Sequence, residues 1–331
     1  MFTLMTWNLE NLFRPAQADS SDVKQAYQLK LQLLGAVIAQ HDPDMIALQE
    51  VGGLEPLSDL QAACSGNYPH AEVSLFPDDR GIRVAVLSKK AIVEREDLVD
   101  FPPGPACDIN NLTAGGGTIP IVRMGRGALR VRVAHNGGTI DVIAAHLKSK
   151  LLTFPRPGGN SAFSTSDERE RAQVAGIALM KRSAEAVTLR TRISDFLKGN
   201  KTNPLILAGD FNDVPEAQTS LILCGPPGSE IGTRGFDQTD AGDDQRLWNL
   251  TNAITDPARR FSRIHNGRGE MLDQIFVSEE LLPVQANNKR KLPTVDSLID
   301  FAQMPSIGDN PNERATAPSP DHAPVKAVFD V

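Results

Sequence analysis

Cysteine is scarce in this chain of 331 residues: Cys64, Cys107 and Cys224 share no C-x-x-C spacing, and an odd count excludes a closed disulfide framework. The three are read as core or loop residues of a protein suited to a reducing compartment. Zinc is a poor fit as well, because the cysteines and histidines do not fall at ligand spacing. Aromatic residues make up only 5% of the chain. Phe154, Phe163 and Trp248 are therefore expected to pin loops rather than to stack on bases. Positive charge is in the minority, with 34 Lys and Arg against 41 Asp and Glu for a net charge of −7. That balance argues against coating nucleic acid by charge alone and leaves room for a local basic groove. No run approaches the ~18 apolar residues of a membrane span. The opening MFTLMTWNLENLF lacks the basic and apolar regions of a secretory leader. A cytoplasmic location is the expectation unless a leader precedes this sequence, with no membrane anchor and no protein partner evident.

The chain begins as a strand, Phe2 to Asn8, followed by Tyr27, Leu31, Leu34 and Ile38 at helical spacing and a second strand, Met45 to Glu50. Asp42-Pro43-Asp44 ends the helix. Further strands are predicted at Arg83 to Ser88, Ala91 to Val99, Leu129 to Ala134 and Thr139 to His146, the last two joined by the hairpin signal Asn136-Gly137-Gly138. A long helix is predicted from Ser166 to Leu197, opened by a capping box of Thr165 and Glu168. The apolar run Leu205 to Ala208 follows, then a short helix over Pro215 to Leu223, strands at 261–265 and 271–278, and a last strand, Pro324 to Asp330. Segments 101–127, 152–166, 225–247 and 285–320 read as long loops. Hairpins mixed with helices point to two packed sheets with helices outside.

Polar residues gather at the predicted strand ends: Asn8, Gln49-Glu50, His146, Asp210 and Asn212, Asp273, and Asp321-His322. Each alone has a plain structural reading as a turn former, a cap or a satisfied core histidine. Together they suit a hard divalent cation or a phosphate, for which Asp, Glu and Asn supply oxygen ligands. Asp213 is read as a turn or helix-cap residue ahead of Pro215.

The segments MTWNLEN, ALQEV, AAHLKSK, AGDFND, LDQIFVS and SPDH, in this order, resemble the motif set of the endonuclease/exonuclease/phosphatase superfamily, the DNase I-like fold. The resemblance covers residues 2 to about 330. It implies a single domain over residues 1–331 with a four-layered α/β sandwich, two mixed sheets face to face with helices outside. It also implies Mg²⁺, with Mn²⁺ a possible substitute, held by Asn8, Glu50, Asp210, Asn212 and Asp321, Glu50 being the principal ligand. Catalytic roles fall to His146, Asp210, Asn212, Asp273 and His322, with Asp273 orienting His322. Whether Asp210 or His322 is the base stays open. Arg83 and Lys148 are candidate phosphate contacts, whereas Arg169 and Arg171 are read as a solvated helix face. The expected activity is Mg²⁺-dependent phosphodiester hydrolysis of the nuclease type with nucleic acid as substrate. The alternatives are a phosphomonoesterase, a phospholipase C-type hydrolase (sphingomyelinase-like or acting on phosphoinositides) and a catalytically silent binding protein.

Overall fold

The computed structural model describes every residue except 200, 201, 226, 239–241, 243, 299–303, 309–313, 315 and 316. Twelve strands build two sheets. In chain order these are β1 (Phe2–Leu12), β2 (Met45–Val51), β3 (His70–Val73), β4 (Arg83–Ser88), β5 (Ile92–Asp100), β6 (Arg123–His135), β7 (Gly138–His146), β8 (Leu205–Asp210), β9 (Trp248–Asn249), β10 (Asp273–Val277), β11 (Thr294–Ser297) and β12 (Val325–Phe329). Among the described residues four α-helices accompany them: α1 (Ser21–His41), α2 (Leu54–Ala63), α3 (Glu168–Leu197) and α4 (Gln218–Leu223). The sheets run β11-β12-β1-β2-β4-β3 and β9-β10-β8-β7-β6-β5. Each has one central parallel pair, β1 with β2 and β7 with β8, and antiparallel partners elsewhere.

Both parallel pairs need a crossover, which α1 and α3 supply. Ser20 caps the start of α1, its side chain accepting from the Val23 amide. At its other end Asp42 turns left-handed with its amide on the Ile38 carbonyl at 2.8 Å, and Pro43 prevents continuation. The β6–β7 hairpin turns on Asn136 and Gly137, both at positive φ, as the two-residue loop requires.

Alternate residues of the central strands divide between a core shared by the two sheets and an outer core beneath the helices on each side. Leu4, Ala47 and Val86 of the first sheet face Val131, Val142, Ile206 and Ile275 of the second. Met5, Ile46 and Leu87 face α1 and α2 through Leu31, Leu34, Ile38, Leu57 and Leu60. Ile143, Leu207 and Phe276 face α3 and α4 through Leu189, Ile193 and Leu223. The result is the four-layered α/β sandwich expected from the motif order. Truncating a fully buried leucine such as Leu34 or Leu207 to alanine costs about 2–5 kcal/mol.

Several boundaries differ from the sequence expectation. The N-cap of α3 is Asp167, whose carboxylate accepts from the Arg169 and Glu170 amides at 2.9 and 3.3 Å. Thr165 lies two residues outside and donates to Glu170 instead. A carboxylate at the cap also meets the positive end of the helix dipole, which favours Asp over Thr there. Segment 101–127 contains a hairpin, Ile109–Leu112 with Thr118–Ile121, and the start of β6. Segment 152–166 closes a two-residue ladder between Phe154–Pro155 and Ser161–Ala162. The segments 225–247 and 285–320 lie partly outside the described residues, but 285–320 includes β11, an edge strand of the first sheet. These strands are too short for alternation to be legible in sequence.

Candidate active site

All the polar segments singled out by sequence arrive at one end of the sandwich, where both parallel pairs finish. His146 and Asp210 are register partners at the ends of β7 and β8. Asp273, which opens the antiparallel β10, is the register partner of Asp210 on its other side. Gly209 permits this closeness: a Cβ there would lie 1.9 Å from the Ala145 carbonyl oxygen. Asp210 is buried and held from three directions. The Asn212 amide donates to Oδ1 at 2.8 Å, Asn8 Nδ2 to Oδ2 at 2.9 Å, and His146 Nε2 lies 3.4 Å from Oδ2. Burial raises its carboxyl, His322 opposes that and Asp273 adds to it, and the result is about 6.

Asp273 and His322 form the second half of the centre. His322 Nδ1 stands 2.5 Å from Asp273 Oδ2. Trp7 Nε1 donates to the His322 carbonyl at 2.9 Å, and Ser262 Oγ accepts from the Asp273 amide at 3.1 Å. Burial alone would lower His322, but Asp273 and Asp321 outweigh it and raise the imidazole to about 10. It is a cation at neutral pH. His146 goes the other way: burial first, then Arg126 and His322, push it well below its ordinary value, so it is neutral. Asp210, Asp273 and His322 offer atoms within 4.8 Å of one another. Charged on both ring nitrogens, His322 has no lone pair to give a metal, and in that state it pairs with the two carboxylates.

The oxygen-rich edge lies on the first sheet. The register of β1 and β2 slips between Asn8 and Leu12, and Glu50 sits in that irregularity at φ 61°. Glu10 and Asn11 opposite are left-handed too, at 48° and 59°. With Asn212, four of the nine positive-φ non-glycine residues among the described residues belong to this site. Such strain concentrates where side chains are re-aimed for function. The Asn11 amide holds one oxygen of half-buried Glu50 at 2.9 Å, and Asn8 Oδ1 accepts from the Glu10 amide at 2.9 Å. Asp321 lies 3.9 Å from His322 Nε2 and 3.7 Å from Arg263.

A groove of about 850 Å³ opens beside this centre, lined on the α1 side by Tyr27 and Lys30 and on the α3 side by Val174, Ile177 and Ala178. Lys148 lines it. This residue is half-buried, and its ammonium donates to the Ser149 and Leu151 carbonyls at 3.0 and 2.9 Å. Arg83 is elsewhere: its guanidinium is tied to the Gly52 and Gly81 carbonyls at 3.2 and 3.0 Å, outside the groove lining. Arg169 and Arg171 are exposed on α3, as expected. Phe154 and Trp248 are buried, whereas Phe163 is 47% exposed and lines the groove. Asp213 does more than turn the chain. Its carboxylate accepts from Arg182 Nε at 3.1 Å and Thr219 Oγ1 at 2.8 Å in a buried pair. Sequence reasoning missed Arg126, Arg182, Glu185, Glu10 and Arg314. Arg126 donates to the Leu147 carbonyl, and Arg314 pairs with Glu10 at 2.8 and 2.9 Å. No motif marks these residues, since each partner is far away in the chain.

A model of the endonuclease/exonuclease/phosphatase family matches residues 5–288. Comparison with curated protein sequences finds no match. Among solved structures, the human Nocturnin catalytic domain with bound sulfate is similar at a TM-score of 0.55 and 16% identity, over 99% of this chain and 94% of that one. Truncated TDP2 of Caenorhabditis elegans is similar at 0.54 and 14%, over 99% and 96%. A mannosyl-6-phosphatase of Bacteroides thetaiotaomicron is similar at 0.54 and 16%, over the whole of both chains. At such identities the likeness establishes the fold alone. Among the described residues no helix is long and apolar enough to cross a membrane.

Proposed function

The chain belongs to the endonuclease/exonuclease/phosphatase family, and on that premise we propose that it is a divalent-metal-dependent phosphodiesterase of the nuclease type, with nucleic acid as substrate. The observation that carries the reading is the convergence of buried Asp210, Asp273 and His322 within 4.8 Å, with His146 3.4 Å from Asp210. Asp210 ionises at about 6, His322 stays charged to about 10, and His146 is neutral. That is the assignment a hydrolase needs at neutral pH: a base, a cation for the developing phosphoryl charge, and an uncharged imidazole.

Glu50 and Asn8 offer oxygen donors on adjacent strands, and the second oxygen of Glu50 has no protein hydrogen bond among the described residues. This donor set fits Mg²⁺ or Mn²⁺, which bind through few carboxylates plus water and substrate phosphate. A cation bound there supplies Lewis-acid polarisation of the phosphoryl oxygens. Asp210 orients the attacking water and accepts its proton. His322, with Nδ1–H on Asp273, presents Nε2–H to the phosphoryl oxygen; its imidazole, raised to about 10, suits the part of donor and leaves that of base to Asp210. Asn212 braces the β7 end, its Nδ2 donating to the Leu147 carbonyl at 3.0 Å.

The diester reading is supported by the groove's extent. It is lined by His146 at the edge of the centre and reaches towards both α1 and α3. A terminal phosphate needs space on one side of the phosphorus, whereas an internal one needs it on both. The test is hydrolysis of single-stranded DNA, RNA, plasmid, a nitrophenyl phosphodiester and a sugar 6-phosphate, with Mg²⁺ or Mn²⁺ and with EDTA. Metal-dependent cleavage of the diesters is expected. Turnover of the sugar phosphate alone would assign a phosphomonoesterase, and inactivity on all would assign a silent binding protein.

A further inference from the structure

Resting on the phosphoester reading above, we infer that the groove contains a second anion subsite beside the reaction centre, formed by Lys181, Lys148 and Arg126, which takes a further phosphate carried by the substrate.

The subsite is built by one turn of α3. Arg182 and Glu185 are 6% and 1% exposed. Together they grip both backbone polar groups of Lys148: Glu185 Oε2 accepts from the Lys148 amide at 2.6 Å, and Arg182 Nη1 donates to its carbonyl at 3.1 Å. Glu185 Oε1 accepts from the Gly125 amide at 3.0 Å, so the same carboxylate ties the start of β6 to the end of β7. Gly125 has no side chain to obstruct the space between them; a Cβ there would stand 3.5 Å from Lys181 Nζ. This scaffold fixes the backbone of Lys148, and its ammonium hydrogen-bonds to neutral oxygens, Ser149 O, Ser149 Oγ and Leu151 O, with the Glu185 charge nearby.

Charge is out of balance at this spot. Asp78 lies against both Arg126 and Arg80, at 3.1 and 3.8 Å. Asp213 serves Arg182 at 3.1 Å and also Lys150, which reaches Glu270 as well. Glu185 is engaged by backbone amides. Around it stand six cations (Arg80, Arg126, Lys148, Lys150, Lys181, Arg182) and five carboxylates (Asp78, Asp79, Glu185, Asp213, Glu270). One positive charge remains, and Lys148 and Lys181 are the two of these cations that form no ion pair with a carboxylate among the described residues. Burial, Arg126 and Lys181 lower the Lys148 ammonium, which is the response of a cation held beside others. Uncompensated cations at a groove are costly unless a ligand neutralises them. A phosphate monoester carries about −1.5 to −2 at pH 7, enough to pair with both lysines. The substrate class is therefore a phosphoester bearing a second, terminal phosphate, such as a phosphorylated nucleic-acid end.

The test is calorimetric titration of the full chain in Ca²⁺ with thymidine 3′,5′-bisphosphate, thymidine 5′-monophosphate and thymidine 3′-monophosphate. The bisphosphate is expected to bind at least tenfold tighter than either monophosphate, and Lys181→Met to remove that advantage while leaving at least one monophosphate within twofold. Lys181 is half-exposed, so the variant should fold, and circular dichroism checks this. Equal affinities for all three ligands, an equal loss for all three in the variant, or no binding by the bisphosphate would overturn the subsite. Turnover of diesters is measured separately: bisphosphate binding by an inactive protein would keep the subsite and discard the hydrolase.

Discussion

Asp210 and Asp273 face each other across adjacent antiparallel strands as register partners, two buried carboxylates whose repulsion is relieved by the imidazolium of His322. Removing that cation does two things. It deletes the donor to the phosphoryl oxygen, and it leaves the acids facing each other. His322→Ala should lower kcat by about 10²–10⁴. The acid limb of its pH–rate profile should move upwards, because Asp210 loses the charge that favours ionisation. Unchanged kcat, or a limb that moves down, would contradict the assignment; circular dichroism checks that the fold persists.

The wild-type pH profile follows from three groups. Asp210 works as the carboxylate, so the rate falls as pH drops through about 6. His322 works as the cation, so the rate falls as pH rises through about 10. Lys148 binds anions only when protonated, so KM should rise above about 8 while kcat holds. In Lys148→Met that KM limb should vanish; its persistence would point to another group.

Metal dependence should centre on Glu50. Glu50→Gln keeps the size and removes the charge, and should raise the Mg²⁺ concentration for half-maximal rate by about 10–100-fold. An unchanged Mg²⁺ titration would move the ion elsewhere.

Two substitutions test the scaffold. Gly209→Ala sets a methyl against the Ala145 carbonyl at the centre of the second sheet and should cost more than about 3 kcal/mol by urea unfolding. Glu185→Ala strands the Gly125 and Lys148 amides and should cost about 2–6 kcal/mol, at roughly 1–3 kcal/mol for each buried donor.

Sequence carried the outline of this molecule because its central strands are apolar runs that end in acids and amides, and those endings were legible one by one. Arg83–Ser88 coincides with the predicted strand, and Asp210, Asp273 and His322 meet where motif order implied. Three kinds of feature were not legible. Edge strands of two to four residues are too short for periodicity. The irregularity that presents Glu50 depends on register against β1, which no local pattern encodes. Buried charges such as Arg126, Arg182 and Glu185 look like solvated helix or strand residues until their distant acceptors are in place.

The first and last strands are neighbours, Phe2 lying against Phe329, and His322 precedes the last strand by only a few residues. Asn8, Glu50, His146, Asp210 and Asp273 all precede His322 in the chain. Closing the first sheet and completing the site are therefore one event, because the segment that pairs with β1 is also the one that carries His322 to Asp273.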